Sequence, residues 1–293
     1  MTKQTGGFLL AENSGCASSG CSRESCEGCP SAQGGAPQDL HAPMNAHSSI
    51  KHVIGIISGK GGVGKSSVTA MLAVYLNQHG YRVGILDADI TGPSIPRLFG
   101  VNGIGGVKDE EMYPAETVTG IRIMSINLLL EDEGQPVLWR GPILGNVLQQ
   151  FWSDVAWGEL DYLLVDMPPG TGDVALTVFQ SLPVEGVFLV TSPQSLVEMI
   201  VTKAYTMAQL MDIPVLGVIE NFSYLSCPDC GKKINLFGES HIGQWANAHD
   251  VPVAAHLPLD PAMTGFADTG KMEYYEVPEG FAAVAALLPR EEE

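Results

Sequence analysis

The chain has 293 residues, 45% of them hydrophobic, enough for one large α/β domain and too apolar for wholesale disorder. A formal net charge of -18, from 33 acidic against 15 basic residues, argues against a general nucleic-acid binder, because phosphate neutralisation needs a basic face. No apolar run approaches the roughly 20 residues of a membrane span, and Met1-Thr2-Lys3-Gln4-Thr5 does not open a secretory signal, so the expected setting is cytoplasmic, without a membrane partner.

Residues 1–48 are rich in Ser, Gly, Ala, Pro and Cys and carry no helical or strand period. They read as a flexible segment that only a metal would organise. A domain over 49–293 follows, opening with the buried-strand pattern His52 to Ser58. Further strands are predicted at Arg82 to Asp87, Ile121 to Ile126, Tyr162 to Asp166, Gly186 to Val190, Val215 to Glu220 and Val253 to Leu257. Helices are predicted near 65–79, 142–154, 174–181, 194–210, 239–249 and 279–288. Near-continuous apolar strands alternating with helices imply an α/β fold, a mostly parallel sheet with helices on both faces. Ligands in such folds sit at the carboxyl ends of the strands.

The first strand runs into Gly59-Lys60-Gly61-Gly62-Val63-Gly64-Lys65-Ser66, a match to G-x-x-x-x-G-K-[ST] between a strand and a helix. Glycines let backbone N–H groups converge on phosphates, and the helix N-terminus adds positive charge there. Lys65 is expected on the β- and γ-phosphates and the Ser66 hydroxyl on Mg²⁺. Two aspartates, Asp87 and Asp89, follow the second strand at i and i+2. One carboxylate there can serve the Mg²⁺ shell while the other orients or deprotonates water; capping or turn chemistry is the alternative for Asp89. Tyr162-Leu163-Leu164-Val165-Asp166 has the apolar-then-carboxylate form of a Walker B strand. It leads into Met167-Pro168-Pro169-Gly170-Thr171-Gly172-Asp173, a loop whose glycines allow approach to a γ-phosphate and movement when it leaves.

The six cysteines fall into two groups. Cys16, Cys21, Cys26 and Cys29, spaced C-x₄-C-x₄-C-x₂-C, suffice for a cluster or a zinc ion within one chain. Cys227 and Cys230 form a lone C-x-x-C, which needs a second copy across a two-fold axis to complete four ligands. A redox dithiol and buried structural thiols are the competing readings.

Lys60, a second lysine within Gly59 to Ser67, resembles the "deviant" Walker A of the ATPase group that includes MinD, ParA and nitrogenase iron protein. That resemblance implies a lysine reaching across a dimer to the partner's nucleotide. The order of this loop, Asp-x-Asp-x-x-Gly-Pro-Ser, Trp139-Arg140-Gly141-Pro142, Val165 to Asp173, and Glu220-Asn221-Phe222-Ser223-Tyr224 through Cys230 is similar to the Mrp/ApbC family over residues 51 to about 260. The resemblance implies a homodimeric ATPase that assembles a 4Fe–4S cluster on paired Cys227 and Cys230 and passes it from cluster donors to apo-proteins. It places Asp87 and Asp166 in the Mg²⁺ shell, makes Asp89 the catalytic carboxylate with Lys60 and Lys65, and assigns Asn221 to adenine, hence ATP. Pro258-Leu259-Asp260-Pro261 is expected to close over the base. The N-terminal cysteines would hold a second 4Fe–4S cluster, although their spacing is tighter than in the eukaryotic scaffolds. A MinD- or ParA-like positioning switch, an ATP-driven electron donor and a redox-sensing adaptor are the rivals; the acidic balance and the cysteines disfavour the first.

Overall fold

The computed structural model describes residues 43–89, 94–108, 111–129, 141–194 and 197–290, all within a unit running from His41 to Glu293. Cys16, Cys21, Cys26 and Cys29 lie outside the described residues, as do Gly92-Pro93, Trp139-Arg140 and Glu291–Glu293. In chain order the elements begin with β1 (Ser48–Ile57), α1 (Lys65–Gln78), β2 (Val83–Asp87), α2 (Ile95–Phe99), β3 (Gly106–Lys108), β4 (Glu111–Tyr113), β5 (Ala115–Glu116) and β6 (Arg122–Ser125). Then come α3 (Gly141–Ser153), β7 (Gly158–Asp166), α4 (Asp173–Ser181), β8 (Gly186–Thr191) and α5 (Val197–Leu210). The chain finishes with β9 (Val215–Ser226), β10 (Lys233–Ile234), α6 (Ile242–His249), β11 (Val253–Pro258), α7 (Pro261–Asp268) and α8 (Phe281–Ala286).

Strands β11, β9, β8, β1, β7, β2 and β6 pair in that order, all parallel. Antiparallel β5 closes the β6 edge, and β10 folds back on the far end of β9. Strand period dictates the two cores. In β1, Val53 and Ile57 join one apolar cluster while Ile54 and Ile56 join the other; in β8, Val187 and Leu189 oppose Phe188 and Val190. The first cluster takes Phe151 of α3, Val178 of α4, Val201 of α5 and Trp245 of α6; the second takes Leu72 of α1, Phe99 of α2 and Phe281 of α8. Helices therefore cover both faces, as the buried parallel strands require.

β1 lies between β7 and β8, and the chain crosses over on opposite sides of it. That switch point opens a crevice at the carboxyl end of β1, where the Gly-rich loop sits. Several outcomes differ from the sequence expectation: the short strands β3, β4, β5 and β10 were not predicted, and β7 begins four residues before Tyr162. β1 begins four residues earlier than His52. β9 continues past Glu220 to Ser226, carrying the chain up to Cys227. Helices α2 and α7 were not predicted. Both start on a proline at N1 or N2 and are short, and α7 has no fully buried residue, so neither shows an apolar stripe.

Candidate functional site

The Gly-rich loop ends on Gly64 with φ +79° and ψ 29°, and α1 starts at once with no side chain capping it. Its first N–H groups are thus left to an anion held by the loop. Only glycine fits at position 64. A Cβ there would lie 2.3 Å from Asn221 Nδ2 and 3.0 Å from Phe222 Cζ, besides requiring a left-handed backbone. Phe222 is itself left-handed, φ 59°, a strained conformation for a bulky residue that immediately follows Asn221.

Asp166, fully buried at the end of β7, is the hub of the phosphate end. Its Oδ1 accepts from Lys65 Nζ at 2.7 Å and Thr69 Oγ1 at 2.9 Å, and its Oδ2 accepts from Ser66 Oγ at 2.5 Å. Asp89 adds a second carboxylate 3.7 Å from Lys65 Nζ. Ser94 Oγ donates to Ser66 Oγ at 3.0 Å. Asp87, 1% exposed, accepts from Asp89 N at 3.1 Å and Ser125 Oγ at 3.2 Å. Burial first, and the Asp166 charge second, push its carboxyl well above the ordinary range. The loop after β7 is pinned to the residue that follows β1 by Gly170 N donating to Ser58 O at 2.8 Å. Lys60 Nζ donates to Gln194 Oε1 of its own chain.

Hydroxyl and carboxylate oxygens are the donors a hard cation prefers. Among the described residues no group of three or more His, Cys, Asp or Glu side chains is set to hold a metal ion. Mg²⁺ keeps several waters and takes one or two carboxylates together with phosphate oxygens. Ser66, Asp166 and Asp87 are the residues that fit it.

Asn221 is 2% exposed and donates from Nδ2 to Val63 O at 3.0 Å, tying the end of the sheet to the phosphate loop. A cavity of about 160 Å³ is lined by Asn221, Phe222, Pro258, Leu259, Asp260 and Tyr275, among others. The two segments expected to enclose a base thus share one pocket. Tyr275 Oη donates to Asp260 Oδ2 at 2.6 Å, and Asp260 Oδ1 caps α7 by accepting from Ala262 N at 2.8 Å.

Beyond Asn221 the same β9 strand runs out to the cysteines. Cys227 and Cys230 occupy the turn between β9 and β10, Cys230 exposed and Cys227 partly so. Gly231 N donates to Cys227 O, and Cys227 N to Lys232 O, both at 2.9 Å. The N–H groups of Asp229 and Cys230, then the Cys230 thiol, point at the Cys227 sulfur and hold its thiol below the usual value. Such a turn leaves both thiols at the surface. Ile234, Leu236 and Phe237 beside it are exposed apolar residues. The chain returning from the turn is moored by Glu220, 1% exposed, which accepts from Ser240 Oγ, from Ser223 Oγ at 2.7 Å, and pairs with His256 Nδ1 at 2.9 Å.

The structure gathers Gly59 to Ser66, Asp87, Asp89 and Asp166 at one end of the sheet, sets Asn221 beside them, and leaves Cys227 and Cys230 on a separate hairpin. Thr69, Ser94, Ser125 and Gln194 were missed. Thr69, a polar residue one turn after Lys65 in an apolar helix, carried a readable signal. Ser125 did not, because its role depends on β6 lying beside β2, where Asp87 and Ser125 are register partners.

Known proteins match both the sequence and this geometry. Residues 49–287 match the family model described as ParA: NUBPL iron-transfer P-loop NTPase. The chain is 46% identical over 254 residues to an iron-sulfur cluster carrier protein of Clostridium perfringens, covering 84% of this chain and 89% of that protein. It is 40% identical over 232 residues to the cytosolic Fe-S cluster assembly factor CFD1 of Saccharomyces cerevisiae, covering 76% and 79%. Among solved structures, a nucleotide-binding protein from Archaeoglobus fulgidus in complex with ADP superposes with TM-score 0.71 at 43% identity, covering 79% of this chain and 91% of that one. MinD from Pyrococcus horikoshii complexed with Mg-ADP, at 22% identity, TM-score 0.58 and coverage of 82% and 94%, shares the fold. The chain belongs to the ParA-type NUBPL iron-transfer P-loop NTPases.

Proposed function

We propose that this chain is an ATP-dependent iron–sulfur cluster carrier, a homodimer that takes a 4Fe–4S cluster between two Cys227/Cys230 pairs and delivers it to apo-proteins. The observation that carries the reading is the hairpin: two surface thiols, half of a tetrahedral-thiolate set, stand at the end of the strand that holds Asn221 beside the phosphate loop. A second copy related by a two-fold axis supplies the other half. The relatives' names, iron-sulfur cluster carrier protein and cytosolic Fe-S cluster assembly factor, support the cargo and a cytoplasmic setting.

At the nucleotide end, Lys65 exchanges Asp166 for the β- and γ-phosphates of ATP, and the Gly61 to Gly64 amides cradle them. Asp89 orients the attacking water and takes its proton. Lys60 leaves Gln194 to reach the nucleotide of the partner. Ser66 with Asp87 and Asp166 would hold Mg²⁺, which would supply charge neutralisation at the phosphates. Asn221 and the Pro258 to Asp260 segment hold adenine. Hydrolysis releases the Asp89 and Asp166–Asp173 loops, and this movement is coupled to cluster delivery. The segment 1–48, with Cys16, Cys21, Cys26 and Cys29, carries a second cluster.

The test is an anaerobic preparation in which iron and acid-labile sulfide are counted per dimer, in wild type and in the Cys227→Ser/Cys230→Ser double variant. Loss of about four irons with the double variant supports the shared cluster, and iron left behind counts the N-terminal site. Unchanged iron content defeats the bridging reading.

A further inference from the structure

The phosphate end opens into a cleft of about 880 Å³, far larger than the base pocket and sharing no lining residue with it. One wall is Gly61, Gly62, Ser66 and Asp89, with Pro169 from the loop after β7; the other is α2 and the end of α7, Ala267 to Gly270. Arg97, on α2, lines this cleft. It is exposed, and its guanidinium makes no hydrogen bond or ion pair to any described residue.

Its placement is set by the helix. Ser94, the N-cap residue in αR conformation, has its hydroxyl 3.0 Å from that of Ser66. Arg97 follows at i+3, so the two side chains leave α2 on one face, and the longer one extends over the cleft. Among the described residues the cleft is short of uncommitted cations: Lys65 is engaged by Asp166 and Asp89, Lys60 by Gln194, and Asp268 adds a further acidic lining residue. Among the described residues, a polyanion entering there meets one uncommitted positive side chain, whose planar fork matches phosphate oxygens.

We propose that Arg97 binds the terminal phosphate of a nucleoside triphosphate and makes this site distinguish tri- from diphosphate. The assignment rests on the nucleotide reading of the cleft and is independent of the cluster. Ser66 and Asp89 mark the γ end and line the cleft with Arg97, whereas base and ribose lie towards Asn221, so the last phosphate is the part of the ligand placed to meet the arginine.

The experiment is equilibrium binding of fluorescent ADP and of a fluorescent non-hydrolysable ATP analogue, with Mg²⁺, to the full chain as wild type, Arg97→Gln, Arg97→Lys and Lys65→Ala. Arg97→Gln is expected to weaken the triphosphate analogue by about tenfold or more, as for other hydrogen bonds to charged groups, and to leave ADP unchanged. Arg97→Lys should recover part of the loss. Equal weakening of both ligands, or of neither, overturns the assignment. If Arg97→Gln is silent while Lys65→Ala loses both ligands, only the arginine's role falls. If Lys65→Ala binds both normally, the nucleotide reading falls and the proposal with it.

Discussion

The nucleotide end and the cysteine hairpin are built on opposite principles. Around Asp166 the side chains are already matched within one chain: a buried carboxylate holds Lys65, Ser66 and Thr69 in place before any ligand arrives. At Cys227 and Cys230 two thiols, one exposed and one partly so, stand on a turn beyond the parallel sheet, flanked by exposed Ile234, Leu236 and Phe237. A buried network is rigid because each member is costly to leave unpaired. A pair of thiols at the surface has no such constraint and, in the proposed carrier, is half of a metal site. The first region reads as a site ordered before its ligand arrives and the second as a half-site, and changes at each should have different signatures.

The largest effect expected is on cargo. Cys227→Ser/Cys230→Ser should remove about four irons per dimer without altering nucleotide affinity; a parallel loss of nucleotide binding would break the separation of the two regions. Next is Asp166→Ala, which strands the buried Lys65 ammonium. Urea unfolding should show a loss of roughly 3–5 kcal/mol, the range for removing one partner of a buried ion pair. A loss as small as that of a surface substitution would mean that the phosphate end is not preorganised. Gly64→Ala comes third, with about 1–3 kcal/mol of backbone strain and a displaced Asn221 amide, read as weaker ATP binding with the iron content intact.

Asp87 sharpens the comparison through pH. Its carboxyl is raised well above the ordinary 3.8 by burial and then by Asp166, so the folded chain holds that proton more tightly than the unfolded one. This contribution to stability is complete below pH 3.8 and is lost as pH rises through the elevated folded value. Asp87→Asn should therefore flatten that part of the stability–pH curve in Mg²⁺-free buffer and raise stability at neutral pH, while abolishing hydrolysis. A steeper curve would reverse the argument. The smallest effect is that of Tyr275→Phe, which removes one hydrogen bond to Asp260, about 1 kcal/mol, and should weaken ATP several-fold through the base pocket, as measured by titration.

How far the site was legible depended on whether its parts are neighbours in sequence. Gly59 to Ser66 are contiguous, and the apolar runs ending at Asp87 and Asp166 announce buried parallel strands with carboxylates at their carboxyl ends. Ser125 and Gln194 join the site only because β6 lies beside β2 and because β8 ends near the loop after β1, facts of topology with no local trace. Helices α2 and α7 escaped for a different reason. Each is short and led by proline, and α7 rests on the surface with no fully buried side chain, so the apolar period that betrays a helix never develops. Arg97 was hidden along with α2.

The overshoot of β9 has a further consequence. Its ladder with β10 runs only through Leu225 and Ser226, past the stretch that β8 pairs with. The turn carrying the thiols is therefore a detachable head on a fixed shaft. A graft that swaps Cys227 to Ile234 for another ligand loop, or for a plain two-residue turn, deletes no hydrogen bond of the parallel sheet. Such a chimera turns the same engine to a different load, or lets it idle with none.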